Sequence, residues 1–331
     1  MPTIDFHAHL AAGDPSREPP FLRAMFDPEG YLERQAAVSV DLTVLSNALM
    51  GDTEGDELAE ARVQHDFLAG LVESHPDRFA ALAGVNPWGG QQWLDEAERA
   101  LDEGFAGLVL ESGRDGQYLD SPEVGDFLAL AEERDAVVFV HPSASPITDE
   151  QTGDKMLTLW IGRPYDTGIS LARLLLSDTL SRYPNVKIVV AHGGGVVTTI
   201  LGRLDRVAET RLRMAAFAAA GSAGGGPGPP GGGGGPPFGG PPGAGGPPTV
   251  AEGDRPSDRI RNLYLDTACY HPAGVLAAIA SVGVDHVVFG SDHPPVDQTP
   301  QPSIDVVNQL ELPDEDREKI LGGNAARLLG R

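Results

Sequence analysis

The chain has 331 residues, and its 24 basic against 48 acidic residues give a formal net charge of −24. This charge argues against nucleic acid or an anionic membrane surface as a partner, and a single cysteine, Cys269, excludes an intramolecular disulfide and a cysteine-rich zinc site. The first residues, MPTIDFHAHL, lack the pattern of a signal peptide, and no run of about 18 apolar residues occurs. We therefore expect a soluble, cytoplasmic protein.

Short apolar runs alternate along the chain with longer amphipathic stretches. Several runs (AVVFV, VKIVVA and HVVF) are continuously apolar, which is typical of strands buried on both faces of a parallel sheet. Eight predicted strands, most followed by a helix, indicate a single (β/α)8 TIM barrel over residues 1–331. A doubly wound sheet is the alternative, but no GxGxxG motif follows the first strand. The predicted strands are Thr3–Phe6, Leu42–Ser46, Phe79–Val85, Ala106–Leu110, Ala136–Val140, Val186–Ala191, Leu263–Asp266 and His286–Phe289. The predicted helices are Glu57–Ser74, Gln91–Glu103, Ser121–Arg134, Ile169–Ser181, Val196–Ala220 and Ala273–Ser281.

One segment departs from this alternation. From Gly221 to Pro248, 24 of 28 residues are glycine or proline, so the segment cannot bury enough apolar surface to offset the entropy of ordering it. We predict a disordered insertion between the sixth helix and the seventh strand. A coil of this length spans roughly 30 Å, so it is either an inert insertion or a cover over the mouth of the barrel.

Histidines follow several of the predicted strands at the point where each strand ends. His7 and His9 close the first strand, His141 and His192 end the fifth and sixth, and Asp292 follows the eighth. Residues i and i+2 of a strand point to the same face, so both imidazoles of the first strand can reach one ion. In a barrel these positions all meet at the carboxyl-terminal rim, where the active sites of this architecture lie.

This set of side chains suits a single divalent ion. Three imidazoles and one carboxylate favour a borderline metal with an open coordination position, so zinc is the first candidate and manganese the second. His192 is either a further ligand or the acid–base group. The three glycines that follow it remove side chains around it and allow a substrate to approach closely.

Longer stretches of the chain carry a family resemblance. They are IDFHAHL, VVFVHPS, RPYDTGISLARLLLSDTLSRYPNVKIVVAHGGG, LGRLDR, NLYLDTACYHP, HVVFGSDHPP and ILGGNAARLLG. In this order they resemble the amidohydrolase superfamily, specifically the branch of aminocarboxymuconate-semialdehyde decarboxylase and related metal-dependent aromatic-acid decarboxylases. The resemblance covers almost the whole chain outside the Gly/Pro segment, and it implies a barrel of the metal-dependent hydrolase type.

The resemblance also implies roles for individual residues. It implies His7, His9, His141 and Asp292 as ligands of one metal ion, and His192 as the acid–base residue beside that ion. Asp292 would also take part in catalysis.

Three arginines resemble the substrate-binding arginines of the family. They are Arg23 in LRAMFDP, Arg203 in LGRLDR and Arg211. In some members an arginine reaches into the site of the neighbouring subunit, so a homodimer is implied. Arg23 is equally well interpreted as a solvated surface residue.

We predict from these residues a nonoxidative decarboxylase of a small aromatic or unsaturated carboxylic acid, with that anionic acid as its partner. The alternative is hydrolysis of an amide, ester or lactone at the same site, because both reactions need a polarising metal and a proton shuttle. A noncatalytic barrel whose Gly/Pro segment recruits a partner is a third hypothesis. It is disfavoured because that segment has no basic residue to anchor a PxxP-type interaction.

Some residues outside this set also carry expectations. Glu111, at the end of the fourth strand, is the candidate for bridging to a second metal, as in two-metal relatives. His65 and His75 are predicted to be solvated on or beside a surface helix. Asp5 is predicted to share the face of His7 in a deeper layer and to form buried hydrogen bonds. Trp160 either covers the pocket or packs structurally.

Overall fold

The computed structural model describes residues 1–47, 56–142, 145–223, 250–251, 253–296 and 299–331. Most of the predicted Gly/Pro insertion, residues 224–248, lies outside the described residues. Its first three residues, Gly221 to Ala223, belong to the helix before it, which therefore ends later than predicted. No helix of the described residues combines the length and apolarity needed to cross a membrane.

Eight parallel strands form the predicted barrel. Each strand pairs with its neighbours in chain order, and the first and last strands meet through the hydrogen bond from Phe6 N to Phe289 O (2.8 Å) and a parallel bridge between Ala8 and His293. The (β/α)8 prediction is confirmed. The strands are β1 Ile4–Ala8, β2 Leu42–Ser46, β3 Phe79–Val85, β4 Gly107–Glu111, β5 Val137–His141, β6 Lys187–Val190, β7 Tyr264–Asp266 and β8 Val287–Val288.

A helix follows each strand, and local sequence signals fix several helix starts. The side chain of Asp56 accepts from Ala59 N at the start of the second helix, and Pro164 stands in the first turn of the fifth, which begins six residues before its predicted start. The helices are α1 Pro28–Ala37, α2 Glu57–Ser74, α3 Gln91–Asp102, α4 Val124–Glu133, α5 Arg163–Leu176, α6 Val197–Ala223, α7 Pro272–Val282 and α8 Gln301–Asn308.

Shorter elements occupy the connections and the carboxyl terminus. A two-stranded hairpin of Gly113–Arg114 and Gln117–Tyr118 follows β4. The short helical turns are Pro15–Arg17, Arg23–Phe26, Asp149–Thr152, Lys155–Leu157, Thr158–Gly162, Thr179–Arg182, His192–Gly194, Pro256–Arg259, Ile260–Asn262, Val284–His286, Asp314–Glu318, Lys319–Gly323 and Asn324–Leu328.

Alternation along the strands divides the core into two layers. Phe6, Val44 and Phe139 belong to an inner cluster contributed by strands around the barrel. Leu45 and Val138, at alternate positions, belong to a larger outer cluster between the strands and the helices. Because side chains fill the barrel interior, the space for a functional site lies at its rim.

Candidate metal centre

Four buried side chains converge at the carboxyl-terminal rim. His7 lies near the end of β1 and His9 just beyond it, His141 ends β5, and Asp292 follows β8. One potential ligand atom from each lies within 4.8 Å of the others. We call these residues the four-ligand cluster, and the structure brings together the four positions named from the sequence.

The hydrogen bonds of two histidines fix which nitrogen faces the cluster. Nδ1 of His7 lies 2.6 Å from Oδ2 of Asp266, and Nδ1 of His9 lies 2.6 Å from the carbonyl oxygen of Ser46. Since both oxygens only accept, Nδ1 carries the proton in each ring and Nε2 of the neutral ring keeps its lone pair. Both Nε2 atoms nevertheless face Oδ1 of Asp292, at 3.4 Å for His7 and 3.0 Å for His9. The lone pairs of these two Nε2 atoms and of Oδ1 repel one another unless a proton or a cation lies between them.

Burial and charge set the protonation of the cluster. Burial, reinforced by the neighbouring histidines, holds the pKa of His141 well below its ordinary value, and burial also lowers the pKa of His9. Burial opposes ionisation of Asp292, but the histidines around it hold the pKa of that carboxyl well below its usual range. Burial likewise lowers the pKa of His7, yet the carboxylates of Asp292 and Asp266 outweigh it and raise the pKa overall.

The cluster fits a divalent ion in its donor chemistry. Nε2 of His7 and Nδ1 of His141 are buried and have no hydrogen-bond partner within the described part of the chain. Orphaned buried nitrogens are costly unless something else occupies their lone pairs. Three nitrogens and one carboxylate oxygen are a ligand set typical of zinc, and they also accommodate manganese.

A β-bulge directs the first histidine into the barrel. In the pairing of β1 with β2, Asp5 aligns with Thr43 and Ala8 with Leu45, so β1 contains one extra residue. Phe6 and His7 consequently both lie against the ring of Phe139, with ring centroids 5.9 and 5.0 Å away. Simple alternation would have placed these two neighbours on opposite faces.

The same bulge changes the position of Asp5. Its side chain is fully buried and accepts from Ser291 Oγ (2.5 Å), Ser291 N (3.0 Å) and His7 N (3.2 Å), as the predicted hydrogen-bonding role requires. Its predicted position on the face of His7 is wrong, because the extra residue reverses the alternation between them.

His192 stands beside the four-ligand cluster. Its Nε2 lies 3.6 Å from Oδ2 of Asp292, whereas Oδ1 of that carboxylate faces His7 and His9. The two oxygens thus have different surroundings, one toward the ligands and one toward His192. This arrangement favours the acid–base role for His192 over the role of a fifth ligand.

Tyr270 contacts the outer oxygen of Asp292, and Trp160 lies against Tyr270. The hydroxyl of Tyr270 donates to Oδ2 of Asp292 at 3.2 Å, and the ring of Trp160 lies 6.0 Å from that of Tyr270. Tyr270 has φ 53°, a left-handed conformation that is rare for a bulky residue. Trp160 was expected either to cover the pocket or to pack structurally, whereas Tyr270 was not predicted, although it lies in the DTACYHP stretch.

The three arginines named from the sequence do not join the cluster. Arg23 is exposed and its Nε donates to the carbonyl of Glu18 at 3.0 Å. Arg203 and Arg211 are exposed on α6, where both line an open surface groove. At 1.5 Å per residue they lie about 9 and 21 Å along the helix from its first residue. Among the described residues no hydrogen bond or ion pair links them to the four-ligand cluster.

Glu111 and His65 lie in surroundings that differ from those expected from the sequence. Glu111 is buried beside His141 in the register of β4 and β5, and Arg114 donates to both of its oxygens at 2.6 and 2.7 Å. That carboxylate is therefore neutralised by a guanidinium. His65 is buried, not solvated, because its two nitrogens contact Glu96 Oε1 (2.8 Å) and the carbonyl of Gly84 (3.1 Å).

Comparisons with known proteins agree with this geometry. The sequence profile of the family described as Amidohydrolase matches residues 4–331. A 2-amino-3-carboxymuconate-6-semialdehyde decarboxylase of Dictyostelium discoideum is 24% identical over 317 residues, which cover 92% of this chain and 77% of that protein. A 6-methylsalicylic acid decarboxylase of Penicillium expansum is also 24% identical, covering 100% of this chain and 97% of that protein.

Solved structures show the same fold. A 2,6-dihydroxybenzoate decarboxylase from Rhizobium superposes with a TM-score of 0.75 at 22% identity, covering 99% of this chain and 98% of the other. A dihydroxybenzoic acid decarboxylase from Polaromonas sp. JS666, with bound manganese and 2-nitroresorcinol, gives a TM-score of 0.73 at 19% identity and covers 99% and 97%. With a profile match over nearly its whole length, a (β/α)8 barrel and a histidine–aspartate cluster at the rim, the chain belongs to the amidohydrolase family.

Proposed function

We propose that the protein is a metal-dependent nonoxidative decarboxylase, a carboxy-lyase, of a small aromatic or unsaturated carboxylic acid. The observation that carries the proposal is the convergence of four potential ligand atoms, two of them histidine Nε2 lone pairs that face Oδ1 of Asp292, on a point that one cation would satisfy. His7, His9, His141 and Asp292 would hold one divalent ion, zinc or manganese.

Decarboxylation requires a group that polarises the substrate and a group that delivers a proton. The bond between the carboxylate carbon and the substrate carbon breaks, CO2 leaves, and the electron pair left on the substrate carbon takes up a proton. A bound divalent ion supplies Lewis-acid polarisation and a template for the substrate. His192 and the outer oxygen of Asp292, 3.6 Å apart, are placed to hold that proton and deliver it.

The relatives support a carboxy-lyase over a hydrolase. Both curated relatives described above are named as decarboxylases, and the solved structures with this fold include decarboxylases of dihydroxybenzoates. The semialdehyde substrate of one and the aromatic substrates of the others define the range we propose for this chain. Hydrolysis of an amide, ester or lactone is the alternative outcome of the test below.

The exposed arginines are proposed to act across a subunit interface. Arg203 and Arg211 stand on the outer face of α6 with the exposed apolar side chains Val207 and Leu212 between and beside them. A homodimer that covers this face would offer a guanidinium to the neighbouring site, where it can pair with a substrate carboxylate. Arg23 would serve its own subunit. A cytoplasmic location remains a prediction from the sequence.

The test is product analysis with defined metals. Metal-free protein is loaded with zinc or manganese and given carboxyl-¹³C-labelled 2,6-dihydroxybenzoate, 6-methylsalicylate and open-chain unsaturated acids, together with ester and lactone probes. Release of ¹³CO2 that depends on the metal and disappears in His141→Ala supports the proposal. Formation of a new acid from an ester or lactone, with no CO2 from any acid, contradicts it.

A further inference from the structure

Asp266, the last residue of β7, joins two parts of the site. It is fully buried, and its Oδ2 lies 2.6 Å from Nδ1 of the metal-ligand candidate His7. Its Oδ1 accepts from the backbone N–H of Gly193 at 2.8 Å and from that of Ala268 at 3.1 Å. One carboxylate thus contacts a ligand of the four-ligand cluster and the residue directly after His192.

The loop that carries His192 has an unusual backbone. His192, Gly193, Gly194 and Gly195 have φ values of 57, 60, 78 and 62°, so four consecutive residues have positive φ. Glycine adopts this region freely, but histidine does so only where its surroundings impose it. The bond from Gly193 N to Asp266 ties this loop to β7.

Only a carboxylate satisfies all three donors. The N–H groups of Gly193 and Ala268 and the Nδ1–H of His7 all need acceptors, and an ionised carboxylate offers acceptors on both oxygens. An asparagine offers one oxygen and an NH2 group, which is a donor. The two backbone N–H groups cannot change, whereas an imidazole can move its proton. In Asp266→Asn the oxygen should therefore face the backbone and the NH2 should face His7.

In Asp266→Asn, this amide orientation would change the metal site by moving one proton of His7. With an NH2 opposite Nδ1, His7 keeps its lone pair on Nδ1 and its proton moves to Nε2, the atom that faces the cluster. A protonated Nε2 cannot ligate a metal ion. The loop of His192 would keep its anchor in this variant and would lose it in Asp266→Ala.

We propose that Asp266 is a positioning residue that couples the two halves of the site, selecting the metal-binding tautomer of His7 with one oxygen and holding the His192 loop with the other. The inference rests on the proposed function, because it takes His7 as a ligand and His192 as the acid–base group.

The first experiment needs neither substrate nor metal. Nitrogen-15 histidine NMR of the metal-free protein at pH 8.5 reports which nitrogen of His7 carries the proton. We expect a protonated Nδ1 of His7 in the wild type and an unprotonated Nδ1, with the proton on Nε2, in Asp266→Asn. Asp166→Asn, the same change at another buried aspartate, is the matched control and should leave the His7 signals unchanged. An unaltered His7 tautomer in Asp266→Asn would overturn the proposal.

The second experiment tests the two roles of Asp266 separately. Competition titration with a chelator should show zinc or manganese binding weakened 10- to 100-fold in Asp266→Asn. At saturating metal, kcat of Asp266→Ala should be at least tenfold below that of Asp266→Asn, because only the asparagine keeps the bond to the backbone N–H of Gly193. Equal kcat values for the two variants would contradict the role of Asp266 in holding the His192 loop. A wild type that binds neither metal would instead contradict the proposed function, and the tautomer measurement would still test Asp266.

Discussion

Asp166 in α5 is a buried carboxylate whose ionisation costs stability. Its oxygens accept from Ser112 Oγ and the Tyr118 hydroxyl, but burial outweighs these bonds, and the nearby charge of Glu111 adds to the effect. Together they raise the pKa of Asp166 from 3.8 to about 6. We predict that Asp166→Asn stabilises the protein at neutral pH.

The size of the gain follows from the pKa shift. A shift of about two pKa units corresponds to about 3 kcal/mol. Below pH 3.8 both states are protonated and no penalty exists; as the pH rises toward 6 the unfolded state ionises first, so stability falls, and above pH 6 the penalty is complete. Asparagine removes it but accepts one hydrogen bond fewer, a loss of about 1 kcal/mol. The expected net gain at pH 7.5 is about 1–2 kcal/mol.

Calorimetric melting between pH 4 and pH 8 tests this reasoning. With about 2.1 cal/mol/K of unfolding entropy per residue, the roughly 300 residues that the structure describes convert the gain into a Tm increase of about 2–3 °C at pH 7.5. The increase should vanish or reverse near pH 4. Asp77→Asn, on an exposed loop, is the control and should shift stability by less than about 0.5 kcal/mol throughout. A variant that is less stable than wild type by the same amount at every pH would refute the argument.

The remaining predictions concern a buried ion pair and the site itself. Glu96→Gln should lower the free energy of unfolding by about 3 kcal/mol, because it removes the buried carboxylate that Arg62, Arg99 and His65 share. Asp102→Asn, at a surface pair, should cost under about 1 kcal/mol. His192→Ala should retain the metal and lose about 10²–10⁴-fold in kcat. Mixing Arg203→Ala with His192→Ala subunits should restore roughly a quarter of wild-type activity if the arginine serves the partner's site.

A specific experimental result would contradict each of these three predictions. Equal losses of stability in Glu96→Gln and Asp102→Asn, measured by urea unfolding, would show that the buried carboxylate of Glu96 contributes no more stability than a surface ion pair. Loss of metal from His192→Ala, measured by elemental mass spectrometry, would make that residue a ligand. Mixed subunits no more active than either variant alone would confine Arg203 to its own subunit or remove it from the site.

The barrel was accessible from the sequence because its strands are continuously apolar. The predicted bounds of Leu42–Ser46, Phe79–Val85 and Glu57–Ser74 match the structure. Helix α1 was missed because its sequence, PEGYLERQAA, has no apolar stripe. It is held against the barrel chiefly by two buried residues, Tyr31 and Gln35. A periodicity argument detects a helix only when the helix buries a regular face.

The candidate site was predictable where it depended on strand ends alone. Residues at the ends of parallel strands meet at one rim whatever their detailed packing, so the four-ligand cluster followed from position. The β-bulge before His7, the burial of His65 against Glu96 and the bonds of Asp266 depend on contacts between distant segments. Nothing in the local pattern around these residues specifies such contacts.

The central claim is that a divalent ion belongs at the four-ligand cluster. Elemental mass spectrometry of purified wild type and His7→Ala tests it most directly. We expect about one zinc or manganese per wild-type chain and a clear loss in His7→Ala. A wild-type protein that retains neither metal, even after both are added and excess ion is removed, would contradict the proposal of a metal-dependent decarboxylase.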